Sequence, residues 1–281
     1  MLKIIIPSYK RAGVNHTIRF LPEEIVKEYV WIAVRDEEYE EYVNAHPGVN
    51  IHNLGKDIDG IAETRQRINE QFSGKIMVLD DDVRFYQTKL GEHPPPSTKL
   101  PFIGRGKAFK TSEEYVEMFK YIEDLLDKYS LGTMRNLNFS RDRRWYPYVE
   151  NTVCYWVFCI NLDSFDFKNC NFRNAPPSGM CEDLYIFCDW FDKGNDFFTL
   201  VKWNVGEKTG QNEMEGGCNT PDRGIKLKKS YDEFVAMFPQ YAKQRESNAN
   251  FKTYGEDCKI TVRTQLNPKK RRQDPKFQKL F

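Results

Sequence analysis

Lys75-Ile76-Met77-Val78-Leu79-Asp80-Asp81-Asp82-Val83 is the stretch on which the reading of this chain turns. Its apolar run, with a β-branched bias, reads as a buried strand, and it ends without a turn residue in three consecutive carboxylates. In an open α/β sheet, ligands bind outside the carboxyl ends of the strands. Three adjacent aspartates repel one another, and a divalent cation among them offsets that cost. Hard oxygen ligands suit Mg²⁺ or Mn²⁺, which is usually held by one or two carboxylates together with a substrate's phosphates. The stretch therefore reads as a metal–diphosphate site. The alternative is a solvated acidic loop after a strand.

Working back from this strand, the chain alternates. Residues 2–6 form a first strand, which Pro7 stops so that Ser8, Tyr9 and Arg11 project from its carboxyl end. A helix is expected from Leu21 to Glu28, a strand over Val30–Val34, a polar helix from Glu37 to Asn44 and a weaker strand over 49–53. A helix from Ile58 to Phe72, bearing Arg65 and Arg67, leads into the acidic strand. The order β-α-β-α-β-α-β at this spacing predicts a parallel sheet with right-handed crossovers, a nucleotide-binding half of doubly wound type spanning 1–86.

Working forward, 87–110 loses regularity and carries Lys89, Lys99, Arg105, Lys107 and Lys110, either to follow a polyanion or as a solvated insertion. Thr111 to Tyr129 has a capping-box start and one apolar face, and reads as scaffold. Arg141, Arg143 and Arg144 then interleave with Phe139, Trp145 and Tyr146, a composition that suits phosphate contacts with base stacking or a polar loop with anchoring rings. A strand over 152–160 precedes a helix over 180–190 with Glu182 and Asp183 in its first turn. A strand over 197–203, an irregular segment 204–224, a helix over 231–241 and a strand over 259–264 follow. The expected organisation is one domain over 1–266, with 111–266 as the acceptor-binding half. A basic tail, 267–281, contains Lys269, Lys270, Arg271 and Arg272, which would add salt-dependent affinity for nucleic acid.

The 281 residues are 40% apolar, 30% charged and 14% aromatic, a globular composition. A net charge of +1 means that any nucleic-acid affinity comes from local patches. No 18-residue apolar run occurs, and the start is broken by Pro7 too early for a signal peptide, so no membrane partner is expected. Seven cysteines without a C-x-x-C pair, and four histidines distant from them in sequence, favour reduced, mostly buried thiols over a zinc site.

Ile4-Ile5-Ile6-Pro7-Ser8-Tyr9-Lys10-Arg11, Val78 to Asp82 and Glu182-Asp183, in this order, resemble the GT-A class of nucleotide-sugar glycosyltransferases. The opening I-I-I-P-S-Y-K-R-A, the G-I-A-E-T-R segment (Gly60 to Arg65) and the C-E-D-L segment (Cys181 to Leu184) are more narrowly similar to the phage TET-associated glycosyltransferases, over residues 1–205. The resemblance implies a GT-A type fold, a Rossmann-like mostly parallel sheet flanked by helices. It further implies a UDP-sugar donor, Mn²⁺ or Mg²⁺, transfer of a hexose to 5-hydroxymethylcytosine in phage DNA, and a place in the cytoplasm of an infected bacterium. Pro7, Ser8 and Tyr9 would lie at the donor nucleotide. Asp80 and Asp82 would hold the metal, and Asp81 would reach the donor's ribose or sugar hydroxyls. Arg11 and Arg65 would bind donor phosphate or the carboxylate cluster, a salt bridge to the aspartates being the alternative. Asp183, beside Glu182, would be general base if the anomeric centre inverts, and helix capping is its competing role. One departure is that no His follows His93 as a further metal ligand: either Asn219 or a carboxylate such as Glu207, Glu213 or Glu215 would substitute, or Asp80, Asp82 and waters alone would hold the metal.

Transfer to a polysaccharide or small-molecule acceptor would leave the basic segments as ordinary surface. A non-enzymatic DNA-binding protein would show no response to a nucleotide sugar with Mn²⁺. A metal-dependent nuclease would cut strands with Mg²⁺ and need no donor.

Overall fold

The computed structural model of the chain describes residues 1–88, 107–136, 146–166, 168–207, 222–246 and 260–268. Its frame is a ten-stranded mixed sheet in the order β3-β2-β1-β4-β9-β7-β10-β5-β6, with β8 also paired to β10. β1 (Lys3–Pro7), β2 (Val30–Val34), β3 (Asn50–Asn53) and β4 (Lys75–Leu79) are parallel neighbours, as the alternating sequence predicts.

Beyond β4 the sheet is mixed. β9 (Val157–Asn161) runs antiparallel to both β4 and β7 (Leu131–Asn136), while β10 (Phe198–Glu207) runs parallel to β7. Two reversals restore the direction, so β1 to β4, β7 and β10 all open their carboxyl ends on one edge. β5 (Val83–Gln87) is antiparallel to β10 and starts at that same edge, with Val83 opposite Glu207. β6 (Lys107–Ala108) pairs with its far end, and β8 (Tyr148–Glu150) with the start of β10.

Helices cover both faces. α1 (His16–Phe20) and α2 (Glu23–Tyr29) precede β2, and α3 (Tyr39–Ala45) packs Tyr42 against Ile32 and Val34. α5 (Ser112–Tyr129) has the expected capping box of Thr111 with Glu114, and lays Tyr115, Met118, Phe119, Ile122, Leu125 and Leu126 on one face. These meet Ile4, Ile6, Met77 and Leu79 of the sheet, each buried side chain contributing about 1.5–3 kcal/mol. The alternate residues, Ile5, Ile76, Val78, Phe158 and Ile160, meet Ile68 of α4 (Gly60–Gln71), Leu184, Phe187 and Phe191 of α6 (Glu182–Asp192), and Phe234 of α7 (Arg223–Met237). A small antiparallel ribbon, β11 (Ala242–Glu246) with β12 (Ile260–Thr264), closes this side.

The helix expected over 231–241 starts eight residues earlier, at Arg223, and ends at Met237. The strand expected over 152–160 begins only at Val157, because Asn151 and Trp156 take left-handed backbone conformations that a strand cannot hold. β5, β6, β7, β8 and β11 are strands that the sequence pattern did not reveal. Cys154, Cys159, Cys170, Cys181 and Cys188 are buried thiols outside any disulfide, as expected.

Candidate active site at the carboxyl edge of the sheet

The loop after β4 is held at three points by one residue. Thr17, fully buried on α1, gives its hydroxyl to the carbonyl of Asp80 (2.8 Å), and that hydroxyl accepts the N–H of Val83 (2.8 Å). Its own N–H donates to the carbonyl of Asp81 (2.9 Å). Asp80 N–H is in turn bound by the carbonyl of Trp156 (3.3 Å). The carboxylates are thus presented by a backbone fixed on both sides.

In the turn that follows β4, Asp80 and Asp81 face opposite sides of the sheet. Asp81 is 5% exposed and closed in: Arg11 Nη1 lies 2.8 Å from Oδ1, and Ser8 Oγ donates to Oδ2 at 3.0 Å. Tyr42, whose hydroxyl burial pushes up to about 12, donates to Ser8 Oγ (2.8 Å) and accepts the N–H of Arg11 (3.0 Å). For Arg11, the salt bridge to the aspartates is therefore the arrangement found.

Asp80 keeps 32% of its side chain exposed. Arg65 Nη2 lies 3.1 Å from its Oδ1, and Arg65 Nη1 bonds Glu182 Oε1. Burial, then the Asp81 and Glu182 charges, push the Asp80 carboxyl up to about 6 against the pull of Arg65. Burial likewise raises Glu182 and Asp183, with Arg65 opposing in both cases. The Arg65 guanidinium is itself buried and lies 4.4 Å from the centroid of the Phe158 ring on β9.

Local sequence explains the placement of these groups. Gly60 opens α4 with φ +74°, which glycine adopts without strain, and sets Arg65 in the second turn with Ile68 in the core below it. Cys181 caps α6 at φ +69°, and Trp156 sits at φ +76° between Tyr155 and β9. Left-handed backbone at two such residues costs about 1–3 kcal/mol each. Both strained residues border the Asp80–Arg65–Glu182 group: one binds Asp80 N–H, and the other aims Glu182 and Asp183. Asp183 is half-buried, with Oδ1 accepting the N–H of Leu184 (2.7 Å), and Tyr155, raised by burial and by the Asp183 charge, lies beside it.

Pro7 ends β1 in the core, and Tyr9, two residues on, is half-buried with the Arg35 guanidinium 4.0 Å from its ring centroid. Lys107 sits at the far end of β5, exposed and 3.9 Å from Glu114. Arg141, Arg143, Arg144, Lys269, Lys270, Arg271 and Arg272 lie outside the described residues, as do Glu213, Glu215 and Asn219. The sequence reading missed Thr17, Trp156, Phe158 and Arg35, and no local pattern marks them.

Hard oxygens at Asp80 and Asp82 fit a Mg²⁺ or Mn²⁺ that completes its shell from a bound diphosphate and water. Burial first, and then the nearby Asp81 and Glu182 charges, disfavour the ionised Asp80, and a cation there would offset both. Among the described residues no three His, Cys, Asp or Glu side chains converge as a complete protein cage.

The sequence profile of the TET-Associated Glycosyltransferase family matches residues 2–217. This chain belongs to that family. The glycosyltransferase is 25% identical over 253 residues to the "Beta-glucosyl-HMC-alpha-glucosyl-transferase" of Enterobacteria phage T2, covering 88% of this chain and 85% of the relative. The protein of the same name from Enterobacteria phage T6 matches with the same identity and coverage. A solved Bacillus anthracis structure described as a putative glucose-1-phosphate thymidylyltransferase is 13% identical with a TM-score of 0.39, covering 82% of this chain and 94% of that one. That likeness is too loose to carry an argument. No helix among the described residues of the glycosyltransferase is long and apolar enough to cross a membrane.

Proposed function

We propose that this glycosyltransferase moves a hexose from a UDP-sugar to a hydroxyl on hydroxymethylcytosine in phage DNA, at the edge formed by Asp80, Arg65 and the start of α6. The observation that carries the reading is the meeting of Asp80 and Glu182 on the Arg65 guanidinium, in a chain whose family transfers sugars. In the transfer, the bond from the anomeric carbon to the diphosphate breaks and a bond from that carbon to the acceptor oxygen forms. The acceptor proton leaves to a base and the electron pair of the broken bond leaves with the diphosphate.

Asp80 and Asp82 would hold Mn²⁺ or Mg²⁺, which supplies Lewis-acid stabilisation of the departing diphosphate. Asp80 ionised is the form suited to this, and the charge of a bound cation would favour that form against the burial that raises the carboxyl in its absence. Asp183 would take the acceptor proton if configuration inverts, a role that the raising of its carboxyl by burial supports, and would orient the acceptor or donor sugar if configuration is retained. Glu182, fixed on Arg65, orients α6. Tyr9, with Arg35 on its ring, offers a flat surface to the donor's base.

The names of the two phage relatives favour a second reading of the acceptor, a sugar hydroxyl already attached to hydroxymethylcytosine. Incubation with Mn²⁺, UDP-sugars and DNA carrying either bare or β-glucosylated hydroxymethylcytosine, then digestion to nucleosides and mass measurement, separates the two. One added hexose, lost in Asp80→Asn, supports the proposal, and the substrate that gains it names the acceptor. UDP release without any nucleoside gaining mass would refute the DNA acceptor.

A further inference from the structure

The ribbon β11–β12 has a face that the transfer reaction does not use. Ala242 and Val262 point inward and join Phe238 and Tyr241 in the core. Period two therefore turns Lys243, Arg245 and Arg263 outward, and all three are at least partly open to solvent. Lys243 and Arg263 stand directly opposite each other in register. Like charges in that relation destabilise a strand pair. Among the described residues none of the three has an acidic partner.

The neighbouring helix shows what a merely solvated charged face looks like. On α7, Lys226 is 3.1 Å from Asp222 and Lys229 is 3.9 Å from Glu233, each one turn apart. Among the described residues the ribbon has no such compensation, which leaves its charge open to a partner outside the chain.

Its course leads toward the reaction. Tyr241, at the start of β11, bonds Asp192 at the end of α6. Gln244 bonds Asp232 in the middle of α7, whose neighbour Glu233 bonds Ser178, four residues before Glu182. β11 thus runs back along α7 toward the edge that holds Asp80 and Glu182. In the sequence, Lys269-Lys270-Arg271-Arg272 begin five residues after β12 ends, in a chain whose net charge is only +1.

We propose that the outer face of the β11–β12 ribbon docks the phosphate backbone of the duplex that carries the acceptor base, through Lys243, Arg245 and Arg263. The inference rests on the DNA-acceptor reading above. Regularly spaced anions answer cations spaced along a strand, and a two-stranded ribbon has a width that the major groove admits.

The test compares full-length protein with Lys243→Gln/Arg245→Gln/Arg263→Gln, and with the charge-keeping Lys243→Arg/Arg263→Lys. Binding to a duplex containing hydroxymethylcytosine is followed by fluorescence anisotropy at salt concentrations from about 50 to about 300 mM. The expected result, in the Gln variant alone, is a salt slope shallower by about 0.9 for each phosphate no longer neutralised, with affinity at least about tenfold weaker. Its rate of sugar transfer to a free modified nucleoside should be unchanged, which separates a disabled docking face from a damaged fold. Equal slope and affinity in wild type and the Gln variant would overturn the ribbon and leave the DNA acceptor standing. Wild type that binds no duplex would overturn both. Binding to phosphatidylserine vesicles but not to DNA, abolished in the Gln variant, would also overturn the proposal by showing a membrane surface.

Discussion

Asp80 and Asp81 are neighbours with the same side chain, and the fold uses them in opposite ways. Asp81 faces the α1–α3 side, shut in with Arg11, Ser8 and Tyr42, and these groups satisfy one another. Asp80 faces the α4–α6 side, partly open, sharing one guanidinium with Glu182. An acidic triplet is therefore not one site. The closed carboxylate ties β1 to the loop after β4, and the open one is available for chemistry.

That contrast is broken most severely by Asp81→Ala or Arg11→Met. Removing one partner leaves a buried charge without compensation, at a cost of about 3–5 kcal/mol, read by urea denaturation. Arg11→Met/Asp81→Leu should recover much of the loss, because the apolar pair leaves no buried charge behind. Arg65→Lys comes next. An ammonium cannot span Asp80 and Glu182 as the planar fork does, so kcat should fall by at least about tenfold while the fold persists, measured by steady-state transfer and near-UV circular dichroism.

Asp80→Asn sharpens the contrast from the other side. Asp80 is raised in the folded state, so it favours folding while protonated. Its contribution is complete below pH about 4 and is lost as pH rises through about 6. In metal-free protein, wild type should lose stability across that interval more steeply than Asp80→Asn, and at neutral pH the variant should be at least as stable as wild type. An Asp80→Asn protein much less stable at neutral pH would mean that both aspartates are framework. The smallest effect expected is from Trp156→Gly, which relieves left-handed strain but removes a packed ring, and should change stability little while loosening the loop that presents Asp80. Urea denaturation and amide hydrogen exchange at Asp80 read the two parts.

The parallel half was legible because its residues obey one rule at a time. Val30–Val34 and Lys75–Leu79 are apolar runs flanked by helices of clear periodicity, and Asp80–Asp82 ends one of them. β7 was not legible: Leu131-Gly132-Thr133-Met134-Arg135-Asn136 is wholly buried yet half polar, and its order depends on partners remote in sequence. Thr133 donates to the carbonyl of Val157 (2.8 Å), and Gly132 leaves the space that the Phe198 ring fills. The same limit applies at the site. Asp80, Arg65 and Glu182 were each readable as polar residues at expected ends, but which carboxylate Arg65 would join depends on the packing of α4 and α6 across the sheet. The sequence reading set Asp81 apart from Asp80 by giving it the donor's hydroxyls, but its enclosure by Arg11, Ser8 and Tyr42 comes from partners remote in sequence.

The central claim is that Asp80, not Asp81, belongs to the donor site. Calorimetric titration of UDP-glucose with Mn²⁺ into wild type and Asp80→Asn, both verified as folded at neutral pH, tests it most directly. The account requires saturable heat with wild type and a Kd weaker by at least about tenfold, about 1.4 kcal/mol, with Asp80→Asn. Equal affinity in the two proteins would contradict it.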